Sequence, residues 1–563
     1  MYRWYYILMI FIVLSLCLEV SCYDSDDEDW DGSDDDDDHS GDDDDHSHGD
    51  DDDDDDESGL DHILPRSAEP EHLYVLDLDG VPFDQRTLVI SLQGLVNRDE
   101  PRIYLNRLEH DPEWIQYYKD RFGVTYALVN DVWRLVELFN DPPRRAVVYD
   151  PDVMGSLGVA TTLAGQFDLL ILSPDLVQPA ADRGIEIEFD LRGLFADDLQ
   201  AYAWELENLL AGSNPVALGN LNIDDTGVRD YLIQHRIFTF YLKAVPGQVD
   251  LLLDVLRAAP DNIPVLGYMA SSGMEESLGE LALSPHNKFL IPSDTTNNIS
   301  VHSGIQVAPE VFSSRNIPPR EFTPEQIRQS VFAAFALSDG DNYNIPVQKM
   351  HHCWDDPQRG SLPIGWSIPL TFPTLAPGVA AYYWETATDN DYFVGAIGVG
   401  YAFPSFYEDS ETFIELTSRY LDYLGLHNIW ILDLMLYVPM QSVADPWMVR
   451  MEQEAGLDGF VCNYFRSMAT KGYTSSGAPI LYSVASYPDD PAVEIAAQLD
   501  KAFERKQPGR PEFVFFGLNM WDNCPSHVVD AIGAYPRKDE VIVVNLEEMF
   551  DVMREYAPQG PGR

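Results

Sequence analysis

Val331-Phe332-Ala333-Ala334-Phe335-Ala336-Leu337-Ser338-Asp339-Gly340-Asp341-Asn342 decides how this chain folds. An apolar run without alternation describes a strand buried on both faces, the habit of parallel sheets covered by helices. It stops at two carboxylates and an amide, and α/β folds keep their chemistry at the carboxyl ends of such strands. Downstream, strands are expected at Ile364–Ile368, Val379–Trp384, Phe393–Ile397, Asn428–Leu434, Gly459–Tyr464, Ile480–Val484, Phe513–Leu518 and Val541–Asn545. Helices over Glu411–Leu424, Pro491–Arg505 and His527–Ala534 fall between them. About eight or nine strands over roughly 230 residues suit an irregular (β/α)8-like, TIM-type barrel. An open doubly wound sheet is the alternative.

Upstream of Val331 the pattern is also α/β, on a smaller scale. Leu73–Leu78, Arg102–Leu105, Ala146–Tyr149 and Leu169–Leu172 read as strands, with helices at Gln85–Val96 and Val159–Gln166. Asp198–Leu210, Val228–Leu242 and Gln248–Ala258 read as amphipathic helices leading to a strand at Val265–Tyr268. The expected division is residues 71–245 for N-terminal α/β domains, 246–325 for a third, inter-domain segment, and 326–556 for the barrel-like domain. At 563 residues, 45% hydrophobic and 12% aromatic, the chain fills more than one core.

The N-terminus is of another kind. Residues 1–22 carry Arg3, an apolar Tyr5–Leu18 and then Ser21-Cys22, which reads as a secretory signal, since a span needs roughly 20 apolar residues. Cys22 follows a small residue, as in a bacterial lipoprotein acylation site, although Glu19 stands where such sites usually carry Leu. Acylation at Cys22 ties the chain to a membrane surface, and plain cleavage leaves it secreted. Either way the expected location is extracytoplasmic. Residues 23–70 are expected to be a disordered acidic linker, since Asp24–Glu57 is almost entirely Asp, Ser, Gly and His and cannot offset its chain entropy. Self-repulsion makes this a spacer. His39, His46 and His48 within it form no defined cage for a metal.

The formal net charge is −60, and no clustered Lys and Arg stand against it, which excludes nucleic acid as a partner and suits a neutral ligand. Of five cysteines, Cys17 and Cys22 belong to the signal, leaving Cys353, Cys462 and Cys524. That trio lacks CxxC spacing, so buried free thiols are expected. No P-loop, GxSxG elbow or dinucleotide fingerprint occurs, and no cofactor is expected.

The expected strand ends supply carboxylates, amides and flat rings: Asp339, Asp341 and Asn342; Trp384 and Glu385; Asp433; Asn463 and Tyr464; Asn519, Trp521 and Asp522. Rings stack on the apolar face of a pyranose while amides and carboxylates take its hydroxyls, so the inventory points to sugars. Glycoside hydrolysis needs two carboxyl groups, and Asp339, Asp341, Glu385 and Asp433 are the candidates. Asp341 with Asn342 ranks first and Asp339 next. A lone Asp after a strand is more often a helix cap, whereas several together speak for chemistry. His351-His352 with Asp355-Asp356 could instead join Asp339 and Asp341 around a metal, although adjacent histidines on a strand diverge.

Gly398-Val399-Gly400-Tyr401-Ala402-Phe403-Pro404 reads as a fixed surface loop, and it resembles the signature of the GxGYxYP putative glycoside hydrolase family, with Phe403 replacing the second tyrosine. That swap keeps a ring and removes a hydroxyl. Leu92-Gln93-Gly94-Leu95-Val96-Asn97-Arg98, Pro101-Arg102-Ile103-Tyr104, Arg229-Asp230-Tyr231, Gly365-Trp366-Ser367 and Asn390-Asp391 support the resemblance. It implies an exported carbohydrate-active protein with small N-terminal α/β domains ahead of a barrel-like C-terminal domain. It transfers no nucleophile or acid. Between the domains, Gly273–His302 concentrates Glu275, Glu276, Glu280, Asp294, Asn298 and His302 and is a candidate cover for the barrel. Glu276 and Glu280 share one helix face, for which solvent exposure is the expectation.

The expected function is a glycoside hydrolase acting on a carbohydrate through paired carboxylates. Gly398, Gly400, Tyr401, Phe403 and Glu276 join the polar strand ends in substrate binding. The rivals are a noncatalytic glycan-binding surface protein and a metal-dependent carbohydrate hydrolase or deacetylase. Sugar, linkage and oligomeric state stay open.

Overall fold

Short apolar runs alternating with helices fold into three small parallel sheets ahead of the large one, as a βαβ pattern dictates. The computed structural model describes residues 60–142, 144–222, 226–270, 273–313, 317–436, 441–463, 470–485 and 490–556. Residues 1–22, expected to be a signal peptide ending at Cys22, the acidic tract to residue 59 and Tyr464 lie outside the described residues.

The first sheet comprises β1 (His72–Asp77), β2 (Ile103–Asn106) and β3 (Thr125–Val129) in the order β2-β1-β3. The second comprises β4 (Arg145–Val148), β5 (Leu169–Leu172) and β6 (Glu186–Asp190), ordered β5-β4-β6. The third comprises β7 (Leu218–Asn220), β8 (Phe238–Phe240), β9 (Ile263–Gly267) and β10 (Lys288–Pro292), ordered β10-β9-β7-β8. Because β7 and β8 belong to this third sheet, the boundary expected at residue 245 falls inside it. The helix expected over Val228–Leu242 is also split, into a helix at Arg229–Gln234 and the strand β8. An apolar stretch of that length fits either period, and pairing with β7 settles its second half as strand.

Two of the motifs singled out from sequence glue these units together. Gln93 donates to Asn298 Oδ1 at 2.8 Å, Asn97 to Ser300 Oγ at 2.9 Å, and Ser300 Oγ to Asp230 at 2.6 Å. Tyr231 donates its hydroxyl to Pro65 O at 2.6 Å. Residues 60–70, expected at the end of the linker, are therefore packed: Leu60 and Leu64 are buried, and Arg66 donates to Ile305 O at 2.8 Å.

The large sheet begins with β11 (Val331–Ser338), in which every residue is buried. It continues through β12 (Ile364–Pro369), β13 (Asp391–Ala396), β14 (Asn428–Ile431), β15 (Gly459–Cys462), β16 (Lys471–Tyr473), β17 (Pro479–Tyr482), β18 (Glu512–Asn519) and β19 (Val541–Val544). The path runs β16-β17-β15-β14-β13-β12-β11-β18, parallel throughout except for the β16–β17 hairpin. A parallel bridge between Ser483 and Phe515 brings the β17 end onto β18, so the sheet curls nearly closed. β18 pairs with β11 along its whole length, and β19 pairs with the first half of β11 on the side where β12 takes the second half. The last strand thus does not stand between β18 and β11, as a regular eightfold barrel requires.

One expected strand is a helix. Val379–Trp384 lies in the Pro377–Thr386 helix between β12 and β13. Its aromatic content suggested strand, but Pro377 at the helix start presets φ and the crossover between parallel strands calls for a helix.

Candidate active site

At the top of β11 the chain passes through Asp339, whose φ of 66° is left-handed, and turns at Gly340. The Gly340 amide donates to Ser367 Oγ at 2.9 Å, and Ser367 Oγ donates to Leu337 O at 2.8 Å, locking the ends of β11 and β12 together. A Cβ at Gly340 would lie 1.7 Å from the Ser367 carbonyl oxygen, so only glycine fits. This fold of the backbone leaves Asp339 buried and puts Asp341, half-buried, on the wall of a small cleft. Asn342 shapes the turn, accepting from the Asn344 amide at 3.0 Å.

Opposite Asp341 the cleft is lined by Gly398, Gly400 and Tyr401 after β13, and by Leu290 and Ile291 of β10. Tyr401 and Leu290 exchange backbone hydrogen bonds of 2.7 and 2.8 Å, so the signature loop closes the open edge of the third sheet. Gly400 is required there, because a Cβ would meet the Phe289 ring at 2.4 Å. The loop is fixed, as expected, but it lies in a buried seam rather than on the surface. Phe403 is 2% exposed with its amide held by Ser284 Oγ at 2.9 Å, so its ring packs inside and offers solvent no platform.

Asp433, after β14, braces the same loop. It accepts from the amides of Ser405 and Met435, each at 2.7 Å, and its own amide donates to Asn463 Oδ1 at 3.2 Å. Burial pushes the Asp433 carboxyl up to about 6 despite those hydrogen bonds.

The remaining acids come from outside the barrel. The Gly273–Leu283 helix of the third unit turns Glu276 and Glu280 inward. Tyr268, just beyond β9, donates its hydroxyl to Glu276 Oε2 at 2.7 Å, and Tyr401 also hydrogen-bonds Glu276. Burial raises the Glu276 carboxyl while the two hydroxyls pull it back. Glu280, one turn on, is fully buried, and neither carboxyl oxygen has a hydrogen-bond partner. Burial, reinforced by the charges of Glu276 and Asp341, holds its carboxyl well above the ordinary range. The solvent-exposed face expected for this pair is overturned. Tyr268 feels the same charges, burial first, then Glu276 and Asp341. No motif marked Tyr268; its place at the carboxyl end of a strand was the available signal. Asn298 and His302, expected nearby, instead hold the first unit, through Gln93 and through the Tyr118 hydroxyl at 2.6 Å from the His302 ring.

Several expected site residues lie elsewhere. Because 377–386 is a helix running back between parallel strands, Glu385 emerges toward the amino-terminal end of the barrel and pairs with Arg121 at 2.8 Å. Trp384 stacks on Phe393 with ring centroids 3.9 Å apart and donates to Phe312 O, so it is core. Asn519 and Asp522 form a turn, the Asp522 amide donating to Asn519 Oδ1 at 2.9 Å, while Trp521 projects 40% exposed. His351 and His352 lie on a helix, not a strand, and His351 stacks on His110 of the first unit with centroids 4.4 Å apart. Among the described residues no group of three or more His, Cys, Asp and Glu is arranged to hold a metal ion.

The thiol expectation fails for two residues. Cys353 and Cys524 form a disulfide with Cα atoms 4.9 Å apart, and among the described residues Cys462 alone is a buried free thiol. A separation of 171 residues leaves no spacing motif; the two meet because they follow the paired strands β11 and β18.

Residues 329–554 match the GxGYxYP putative glycoside hydrolase C-terminal domain, and residues 72–141, 145–213 and 216–304 match the first, second and third domains that precede it. The chain belongs to the GxGYxYP putative glycoside hydrolase family. A crystal structure described as a putative hydrolase from Bacteroides thetaiotaomicron VPI-5482 has the same fold, with a TM-score of 0.77 at 18% identity. The alignment covers 88% of this chain and 97% of that one. No curated protein matches the chain.

Proposed function

We propose that the protein is an exported glycoside hydrolase that cleaves its glycan in the cleft between the third unit and the mouth of an irregular TIM-type barrel. One observation carries the reading: Glu276, raised by burial and held by the Tyr268 and Tyr401 hydroxyls, stands with Asp341 in one electrostatic cluster at the strand ends. A carboxyl group raised by burial is the ordinary means of keeping an acid protonated near neutral pH. Glu276 then protonates the departing glycosidic oxygen. Asp341 acts as the second carboxylate, attacking the anomeric carbon or activating water. Asp339, Asp433 and Asn463 shape the loops that present these groups, and Trp521 supplies a sugar-stacking ring at the rim. Export rests on the N-terminal signal, with Cys22 as the acylation point and the acidic tract as a spacer; the Cys353–Cys524 disulfide suits an oxidising compartment.

The test is release of sugar from a panel of polysaccharides and aryl glycosides, with and without chelator. Asp341→Asn and Glu276→Gln should each lower turnover roughly 100- to 10,000-fold while leaving the thermal midpoint near that of the parent. Wild-type rates in both variants overturn the assignment. Retention of glycan without release favours the binding protein, and chelator-sensitive release favours the metal route.

A further inference from the structure

The strands β11 and β18 are paired along their length, Ser338 opposite Asn519, so the segments that follow them leave the mouth side by side. The first continues from Asp341 into a π-helical turn, Ile345–Lys349, a rare geometry that is frequent at functional sites. The second carries Trp521, among the most exposed large apolar side chains of the described residues. Lys349 Nζ lies 5.6 Å from the centre of the Trp521 ring. The disulfide joins Cys353, one helical turn beyond Lys349, to Cys524, three residues beyond Trp521, and so fixes the two segments relative to each other.

This cation is set apart by its place, over an exposed ring at the ends of paired strands. The chain has 35 basic against 95 acidic residues, and Arg121, Arg359, Arg450, Lys471 and Lys288 are each paired with a carboxylate. Among the described residues Lys349 makes no such pair, as is also true of Lys119, Lys501, Lys506 and Lys538, and Asp522 adjoins Trp521 in the same turn. A cation over an exposed ring is weakly held, and an incoming carboxylate can replace that contact with an ion pair. The ring meanwhile offers an apolar face to a pyranose.

We propose that Lys349 and Trp521 form a subsite for a sugar bearing one acidic substituent, a uronate or a sulfate ester, at the rim of the cleft. This deepens the glycoside hydrolase reading and rests on it for the substrate being a glycan. The acidic balance of the whole chain, which suits neutral ligands, does not oppose a single charge here. Charges more than about 8 Å away are largely screened at physiological ionic strength. The subsite adds a local preference to a glycan otherwise recognised through its hydroxyls.

The test is binding of matched pairs to the full protein: polygalacturonate and its methyl ester, glucuronoxylan and its carboxyl-reduced form, chondroitin sulfate and its desulfated form. In at least one pair the acidic member should bind roughly two- to fivefold more tightly, as one solvent-exposed ion pair allows. Lys349→Met should erase that difference, Lys349→Arg should keep it, and Trp521→Ala should weaken both members, all with unchanged thermal midpoints. Equal or tighter binding of every neutral member overturns the proposal, as does a preference that survives Lys349→Met or a failure to bind any pair. Sugar release by the parent protein separates the two readings. Charge-selective binding without release by the parent protein refutes hydrolysis and leaves the subsite standing, whereas release without charge selectivity does the reverse.

Discussion

Two helices that carry glutamates have opposite fates. On the Gly273–Leu283 helix, Glu280 is fully buried with no hydrogen-bond partner and Glu276 meets two tyrosine hydroxyls. On the Pro377–Thr386 helix, Glu385 is partly exposed and takes three hydrogen bonds from the Arg121 guanidinium. The first arrangement leaves acids without a cation, so burial favours their protonated form; the second pairs a carboxylate and makes it a strut between units. What separates the two carboxyl groups is therefore the absence or presence of a partner cation. Proximity of a glutamate to an expected strand end is no guide.

The widest separation is expected in turnover. Glu276→Gln should lower kcat by roughly 100-fold or more, while Glu385→Gln should leave it unchanged on the same substrate. Equal losses would dissolve the distinction. Next in size is the hydroxyl that the signature loop contributes. Tyr401→Phe removes one hydrogen bond to Glu276 and should cost about 1.5–3 kcal/mol in kcat/KM, with the alkaline limb of the pH profile moved upward. The shift has that sign because the lost hydroxyl had favoured the ionised carboxyl.

Glu280 gives a thermodynamic signature. Its folded carboxyl lies well above the ordinary value of 4.5, so the native state keeps a proton that the unfolded chain releases. Its contribution to stability is complete below pH 4.5 and is lost as pH rises toward the folded value. Glu280→Gln holds no such proton, so urea unfolding should show the variant gaining on the parent above that pH. The slope is at most about 1.4 kcal/mol per pH unit. A difference that stays flat between about pH 4 and pH 8 would show that Glu280 is not held neutral. The smallest effect belongs to the strut. Glu385→Gln should lower stability by about 0–1 kcal/mol, less at high salt, because both partners are partly exposed.

Much of the scaffold is legible from local pattern. The run Val331–Ser338 is a buried strand, the strands expected around Ile364, Phe393, Ile429, Gly459, Ile480, Phe513 and Val541 are present, and the small α/β units precede them. Asp341, Gly398, Gly400 and Tyr401, quoted from two separated stretches, line one cleft. Val379–Trp384 misleads because aromatic residues suit a strand and a buried helix equally, and that single error carried Trp384 and Glu385 to the wrong end of the barrel. Glu280 misleads in the other direction. An i, i+4 pair of glutamates looks solvated until a second domain covers it, and no local property reports that cover.

Sequence alone determined the class of fold, the strand ends where chemistry is sought, and the family, because hydrophobic periodicity and short motifs are properties of neighbouring residues. Only the tertiary structure decided that Cys353 meets Cys524, that the signature loop seals the edge of β10, and that Glu280 is buried within reach of the charges of Glu276 and Asp341. Each of those joins residues far apart in the chain, and each depends on burial between units, which no window along the sequence contains.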